Sequence, residues 1–486
     1  MPLSIIPIFD DTSLDNYEDI DNNSTLIHNN STPVMQQYHN SSPSMSLDGC
    51  YINGNIRFVK KIGAGTFGLI YLVEDTLTQT LYAAKLILKK PPRNSNGTKS
   101  QDIAVNKKFI QEQLYMYFHN KEDASPKNIV ADELPLEFLK TQCGDCTFLK
   151  EISSHLQVHE HPNVTTIHKV LNLSKMAVVI LMDYCHQGDL FHNIIDNQIF
   201  VSTSDVDRID KQLLMKNVIL QLIDVIKYCQ QKSIFHCDLK PENIMVNYNP
   251  HYKRTNHSKS HIVDYNEIQI MLIDFGLAMD NPLICCNVCR GSSFYMAPER
   301  ITNYTGSNLI KTLVDLSKYQ SVEMCDSKHC NSNKYFPTIA GDIWSLAVLF
   351  INITCSRNPW PIASIDSIND RQVFHNYILG NNPSVLRDIL PISRQFNDLL
   401  NKIFVMDPSS RLSLDEIEKE IKNTDFFNDE LLDDDEDNDE VRDEVIAYNN
   451  VGPSPADSLF SPKNCSSHSS FSSSTQRIGS FQGKAT

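Results

Sequence analysis

Two textures of apolar spacing follow one another along this chain. From Ile56, "IRFVKKIGAGTFGLIYLVED" and then "TLYAAKLIL" read as β-strands on either side of a glycine-rich turn. Further on, "TFLKEISSHLQV" places Leu149, Ile152 and Leu156 at helical spacing, and "MAVVILMDYC" reads as a buried strand. "MKNVILQLIDVIKYC" sets Ile219, Leu222, Ile226 and Cys229 on one helical face, and "GDIWSLAVLFINIT" is apolar nearly all round, as a central buried helix is. The pattern predicts an α+β fold: a strand-rich smaller lobe, then a helix-rich larger one.

The ends and three interior stretches break the pattern. Residues 1–55 are rich in Asn and Ser and read as a disordered N-terminus, and residues 428–486 read as an acidic, then Ser-rich, disordered tail. Between them the folded unit spans 56–427, with insertions near 91–146, 247–267 and 301–337. All three are expected as loops lengthened at small entropic cost. The first holds a helical piece near "KFIQEQLYMYF" that periodicity does not place.

Charge and composition narrow the function classes. The formal charge is −16, but "DFFNDELLDDDEDNDEVRDE" at 425–444 carries −11 of it, leaving about −5 elsewhere. The total argues against a nucleic-acid binder as a first reading, while the remaining charge says little about partners. The N-terminus turns acidic at once, with no basic-then-apolar leader, and runs such as "MAVVILM" fall far short of the roughly 20 residues of a membrane helix. Thirteen scattered cysteines fit no disulfide framework. The expectation is an intracellular protein of cytoplasm or nucleus, monomeric by default, with reduced thiols and no membrane partner.

The candidate chemistry is phosphate handling. "GAGTFG" carries Gly63, Gly65 and Gly68, which let backbone amides approach phosphate oxygens. A dinucleotide fold would put a helix after this turn, and a Walker loop would end in Gly-Lys-Ser/Thr; here the turn joins two strands. Lys85, between apolar neighbours on the next strand, needs an anionic partner. Glu151 supplies one, with Glu112 as competitor across the first insertion. Downstream, "IFHCDLKPENIM" and "LIDFGLA" give Asp238 as acceptor of a hydroxyl proton and Lys240 to neutralise the transferring phosphoryl group. They also give Asn243 and Asp274 as ligands for Mg²⁺ on ATP.

In this order the set resembles a eukaryotic protein kinase: Gly63 to Gly68, Lys85, Glu151, His236 to Asn243, Asp274 to Gly276, "APE" at 297–299, Asp342 in "GDIW" and Arg411 in "MDPSSRLS". The resemblance implies a two-lobed fold with ATP between the lobes, bounded by Ile62, Ile70 and Ala83. It places Met182, Asp183 and Cys185 at the adenine hinge, Asp189 near the ribose, and Glu299 against Arg411. Lys240 and "GSSFYMAPE", with Ser292 in the substrate loop, are similar to serine/threonine members acting on protein substrates. Glu242 and Asp189 match acidic positions that accept Arg at −2 and −3 of the substrate, which implies a basophilic preference. "HCDLKPENI" and "DIWSLAVLFINITCSRNPW" are similar to fungal Ran/Pat-like kinases, a group of nutrient-response and meiosis-control enzymes. A pseudokinase scaffold is the alternative; it would lack Lys85, Asp238, Asn243 or Asp274, and none is missing.

Two features depart from the pattern. Cys237 stands where many such loops carry an Arg whose charge waits for an activation-segment phosphate. A cysteine has no charge to neutralise, which predicts activity without that phosphate. Cys143 with Cys146, Cys285 with Cys286 and Cys289, and Cys325 with His329 and Cys330 raise zinc or redox sensing as alternatives to ordinary thiols. In the tail, Arg477 three before Ser480 marks a candidate autophosphorylation site, and Ser454 and Ser461 each precede a Pro.

Overall fold

The computed structural model describes residues 45–65, 68–90, 99–141, 146–202, 205–254, 261–286, 288–302, 304–322, 333–365, 372–380 and 382–428. The acidic run beyond Asn428, Ser454, Ser461 and Ser480 lie outside these residues, as does all of a second unit, Asn438–Thr486.

The smaller lobe is one sheet with one helix on one face and two shorter ones on the other. Strands β1 (Tyr51–Ile52), β2 (Ile56–Ala64), β3 (Gly68–Asp75) and β4 (Thr80–Leu88) run as an antiparallel meander. Helix α1 (Lys99–Phe118) follows, then β5 (Asn128–Ile129), β6 (Asp132–Leu134), α2 (Leu136–Lys140), α3 (Thr147–Leu156), β7 (Ile167–Leu173) and β8 (Ala177–Asp183). The strand order is β5-β1-β2-β3-β4-β8-β7-β6. Ile110, Leu114 and Phe118 recur every four residues along α1 and pack on Phe58, Tyr71 and Leu86. Across the sheet, Ile152 and Leu156 of α3 pack on Ile87, Val178 and Ile180. Because successive strand residues point to opposite faces, β4 serves both clusters.

The larger lobe is helical. Its elements are α4 (Leu190–Ile195), α5 (Asp205–Gln231), the hairpin β9 (Ile244–Tyr248) and β10 (Ile268–Leu272), β11 (Leu283–Cys285), α6 (Pro298–Ile301), α7 (Asn308–Leu313), β12 (Ser321–Val322), β13 (Asn333–Pro337), α8 (Thr338–Cys355), α9 (Gln372–Leu379), α10 (Val385–Ile389), α11 (Arg394–Ile403) and α12 (Leu414–Asn423). Among the described helices only α8 is long and apolar enough to cross a membrane, and it lies buried along nearly its whole length at the centre of this lobe. Trp344 from α8 packs on Trp360, Phe374 and Phe404. Ser413 caps α12 in a reciprocal box with Glu416.

Two boundary expectations need correction. Order begins before Ile56: Leu47, Cys50 and Ile52 are buried, and β1 pairs with β2 and β5. A two-residue strand has no readable period, so the polar texture of the N-terminus masked it. The insertions are not simply long loops either. The first builds α1, β5, β6 and α2, and the third builds β12 and β13. The second carries a buried Arg254–Glu267 pair, with Asn217 of α5 donating to the same carboxylate at 2.8 Å.

Candidate active site

Strand β4 and helix α3 converge on Lys85. Its Nζ donates to Glu151 Oε1 at 2.6 Å and to Asp274 Oδ1 at 2.9 Å. Glu112 lies on α1, the helix on the opposite face of the sheet, so Glu151 is the partner. Burial alone would depress the Lys85 ammonium, but Asp274 and Glu151 outweigh it and hold it above its ordinary value. The Lys85 charge in turn holds the Asp274 carboxylate down at about 2, whereas burial raises Glu151. Gly276 sits close to this pair: a Cβ would stand 3.1 Å from Asp274 Oδ1 and 3.2 Å from Glu151 Oε2, so a larger residue would press on both carboxylates.

The segment 235–243 is clamped from below. Asp342, near the start of α8, accepts the backbone amides of His236 and Cys237 through its two oxygens, each at 2.9 Å. This clamp holds Cys237 at φ +64°, in the left-handed region; Asp274 likewise sits at φ +62°. Strain of this kind persists only where surrounding contacts fix it. Above the clamp, Asp238, Lys240, Ser292 and Asn243 form one polar net. Lys240 Nζ lies 2.9 Å from Asp238 Oδ2 and donates to Ser292 Oγ at 3.0 Å; Ser292 Oγ donates to Asp238 Oδ1 at 2.9 Å. Asn243 Nδ2 donates to the Asp238 carbonyl at 2.9 Å and its carboxylate at 3.2 Å. Ser292, expected in the substrate loop, thus also braces Asp238.

Between the lobes, apolar side chains cluster where the resemblance puts the slot for ATP. Ile62, Leu72, Ala83, Cys185, Met245 and Met271 are buried together, with Ile70 and Ile273 packed against them. Met182 instead packs toward Ile152 of α3, behind the slot. The Asp183 side chain also turns away: it accepts the Thr166 amide at 2.9 Å and meets His168 Nε2 at 2.6 Å. The carboxylate is thus engaged away from the cluster, and only the Asp183 backbone is left to face a nucleotide there. Gly63 pairs with Ile70 across the turn, and the Gly65 amide donates to the Gly68 carbonyl at 2.9 Å. Gly68 has a packing reason beyond phosphate approach, since a Cβ there would meet the Leu86 carbonyl at 2.1 Å.

Asp274 and Asn243 fit a hard divalent cation. The contacts from Lys85 and the Gly276 amide fall on Oδ1 of Asp274, whose side chain is 44% exposed. Asn243 uses its amide nitrogen toward Asp238, which turns its oxygen into a ligand-type acceptor. The Ile273 amide donates to the Asn243 carbonyl at 3.0 Å and ties the two segments together. A carboxylate oxygen and an amide oxygen are the donor types Mg²⁺ takes. Of the cysteine clusters, Cys143, Cys325, His329 and Cys330 lie outside the described residues. Cys146, Cys285, Cys286 and Cys289 are free thiols, and no group of three potential metal ligands occurs among the described residues.

Sequence reasoning missed two groups. Met245 and Ile273 line the slot from the larger lobe, and only their positions beside Asn243 and Asp274 signalled it. His155, one turn after Glu151, stacks on Phe275 at 4.8 Å, and His236 meets the same ring at 5.1 Å. Its Nε2 lies 2.7 Å from the Thr165 carbonyl, and burial lowers its pKa to about 4. It is therefore neutral, with Nε2–H donating. Helix α3, and Glu151 with it, is thereby tied to Phe275 beside Asp274. Cys237 is buried, its thiol pushed up to about 12, with Arg300 reaching its carbonyl at 3.5 Å.

Asp189 caps α4 by accepting the His192 amide at 2.7 Å, and burial and then repulsion from Glu242 raise it to about 6. Glu242 Oε2 is buried without a hydrogen-bond partner, and burial raises this carboxyl too. Farther off, Arg411 grips Glu299 through two nitrogens at 2.8 and 2.7 Å, and its guanidinium lies 4.8 Å from the Trp344 ring centre.

Comparison with known proteins gives the family. The model of the protein kinase domain matches residues 127–427. Serine/threonine-protein kinase VHS1 of Saccharomyces cerevisiae is 34% identical over 79% of this chain and 73% of its own length. Serine/threonine-protein kinase SKS1 of the same yeast is 32% identical over 78% and 67%. The Schizosaccharomyces pombe protein named negative regulator of sexual conjugation and meiosis is 31% identical over 79% and 62%.

Proposed function

This chain belongs to the protein kinase family as a serine/threonine kinase, and we propose that it transfers the ATP γ-phosphoryl group to substrates with arginine upstream of the acceptor, without a phosphate on its own activation segment. The observation that carries the catalytic part is Lys85 held between Glu151 and Asp274, across from the Asp238 net. Asp238 accepts the proton of the incoming hydroxyl and is oriented for it by Ser292 and Asn243. Lys240 places positive charge beside the oxygens that gain charge in transfer. Lys85 holds the ATP phosphates, and the apolar slot excludes water around the base. Asp274 and Asn243 would hold Mg²⁺, which when bound would neutralise charge on those phosphates.

The arginine preference rests on Glu242 and Asp189. These two carboxyls repel one another in a largely buried site where one oxygen has no partner. A guanidinium is the complement such a site lacks. Phosphate independence rests on Cys237: the catalytic loop offers no cation at this position for a phosphate to pair with. The similarity to the S. pombe negative regulator of sexual conjugation and meiosis supports a role in fungal differentiation control; the nutrient-response part of this reading rests on the resemblance to Ran/Pat-like kinases alone.

The test is radiolabelled phosphoryl transfer to peptide libraries that vary the acceptor and positions −2 and −3. Transfer to Ser/Thr, enhanced by arginine and abolished by Asp238→Asn, supports the reading. Transfer that survives Asp238→Asn removes Asp238 as the base, and a proline-directed or acidic preference removes the arginine site.

A further inference from the structure

The third insertion pairs with the activation segment. Strand β11, within the segment that runs from Asp274 to Glu299, lies antiparallel to β13, with Leu283 opposite Pro337, Ile284 opposite Phe336 and Cys285 opposite Tyr335. The pairing extends past both ends. The Cys286 amide donates to the Lys334 carbonyl at 2.8 Å, and the Thr338 amide to the Pro282 carbonyl at 2.8 Å. The Thr338 hydroxyl donates to the Asn281 carbonyl at 2.8 Å. Ile284 and Cys286 are buried on one side of this ladder, and Phe336 is fully buried against Tyr304 and Tyr319. On its other edge β13 is held by β12, with the Tyr335 amide donating to the Gln320 carbonyl at 3.2 Å.

Strand β13 runs without a break into α8, the helix whose Asp342 clamps the catalytic loop. The Thr338 carbonyl accepts Arg300 Nη2 at 3.0 Å, and Nη1 of the same guanidinium reaches the Cys237 carbonyl. One residue, Thr338, thus touches the activation segment through its amide and hydroxyl, and the catalytic loop through Arg300. We propose that β13 and Thr338 are positioning elements that hold the activation segment in its substrate-accepting form, a task that a phosphate on the segment performs in kinases with an arginine at the Cys237 position. This inference rests on the phosphate-independent reading above.

The mechanism is entropic. A strand fixed on one edge orders the residues up to Ser292, which must stay near Asp238 for the hydroxyl to be presented. Ile284→Pro removes a ladder donor and weakens the pairing. Thr338→Val keeps the shape and deletes only the bond to Asn281. Both are compared with wild type as full-length, phosphatase-treated enzyme, with ATP binding by thermal shift as the check on folding.

Ile284→Pro is expected to lower kcat/KM for peptide by about tenfold, and Thr338→Val by about threefold, with KM for ATP unchanged. Amides of residues 288–297 should exchange faster in both variants while those of α5 do not change. If Ile284→Pro loses ATP binding, Thr338→Val carries the comparison. Wild-type kcat/KM and exchange retained in the folded variants overturn the role of the strand. Phosphatase-treated wild type without activity overturns the phosphate-independent reading instead, a result the variants do not mimic.

Discussion

Replacing His155 with leucine exchanges one buried ring for an apolar side chain of similar volume, and its effect should change with pH in a way no simple packing loss does. At neutral pH the variant forfeits the bond to the Thr165 carbonyl and the stack on Phe275. An orphaned buried carbonyl costs about 1–3 kcal/mol and a lost ring contact about 0.5–1.5 kcal/mol, offset in part by the better burial of leucine. The net expectation at pH 7.5 is a loss of about 2 kcal/mol.

Acid narrows the difference. Burial lowers the His155 pKa from 6.5 to about 4, so between these values the unfolded chain binds a proton that the native state refuses. Wild-type stability therefore falls as pH drops through this window, by about 2 kcal/mol at pH 5. Leucine has no proton to bind. The groups that face His155, namely His159, Lys85 and Asp274, are present in both proteins and subtract in the difference. Urea unfolding of both proteins from pH 5 to 8 should show the gap closing as pH falls, with parity near pH 5. A constant gap across that range would refute the buried, neutral assignment. Activity should fall in parallel at neutral pH, because α3 carries Glu151.

Other outcomes follow from the same geometry. Arg411→Met leaves Glu299 charged and buried, and should lower unfolding free energy by about 3–5 kcal/mol with no change in peptide preference, read by chemical denaturation. Glu242→Gln should raise KM for a peptide with arginine at −2 by about tenfold while leaving an alanine peptide unaffected, read in steady-state kinetics. Gly68→Ala places a methyl against the Leu86 carbonyl and should raise KM for ATP more than it lowers kcat, checked by titrating ATP at saturating peptide.

Much of this was legible in the sequence because the catalytic parts are local. Asp238, Lys240 and Asn243 fall within six residues, and the strands around Gly63 and Gly68 carry their own turn. Lys85 and Glu151 were paired correctly across a long insertion because α3 and the strand after it had a readable outline. What sequence hid was long-range or short-lived. β1, β5 and β12 have two residues each, too few for any period. The helical spacing of Ile110, Leu114 and Phe118 marked a helix but not the sheet face it covers. The partnership of β11 with β13 joins segments some fifty residues apart, and nothing in either announces the other. His155 looked like any helix residue until Phe275 was placed beside it. Asp183 belonged to the hinge by motif, yet its carboxylate is held by His168 of β7 and the preceding Thr166 amide.

The most direct test is phosphoryl transfer by enzyme stripped of every phosphate, with mass spectrometry confirming unmodified Ser292 and Ser293. Transfer to a serine peptide at a rate within about twofold of the untreated enzyme, and none from Asp238→Asn, is the predicted result. Stripped enzyme that is inactive and recovers only when Ser293 is phosphorylated would contradict it.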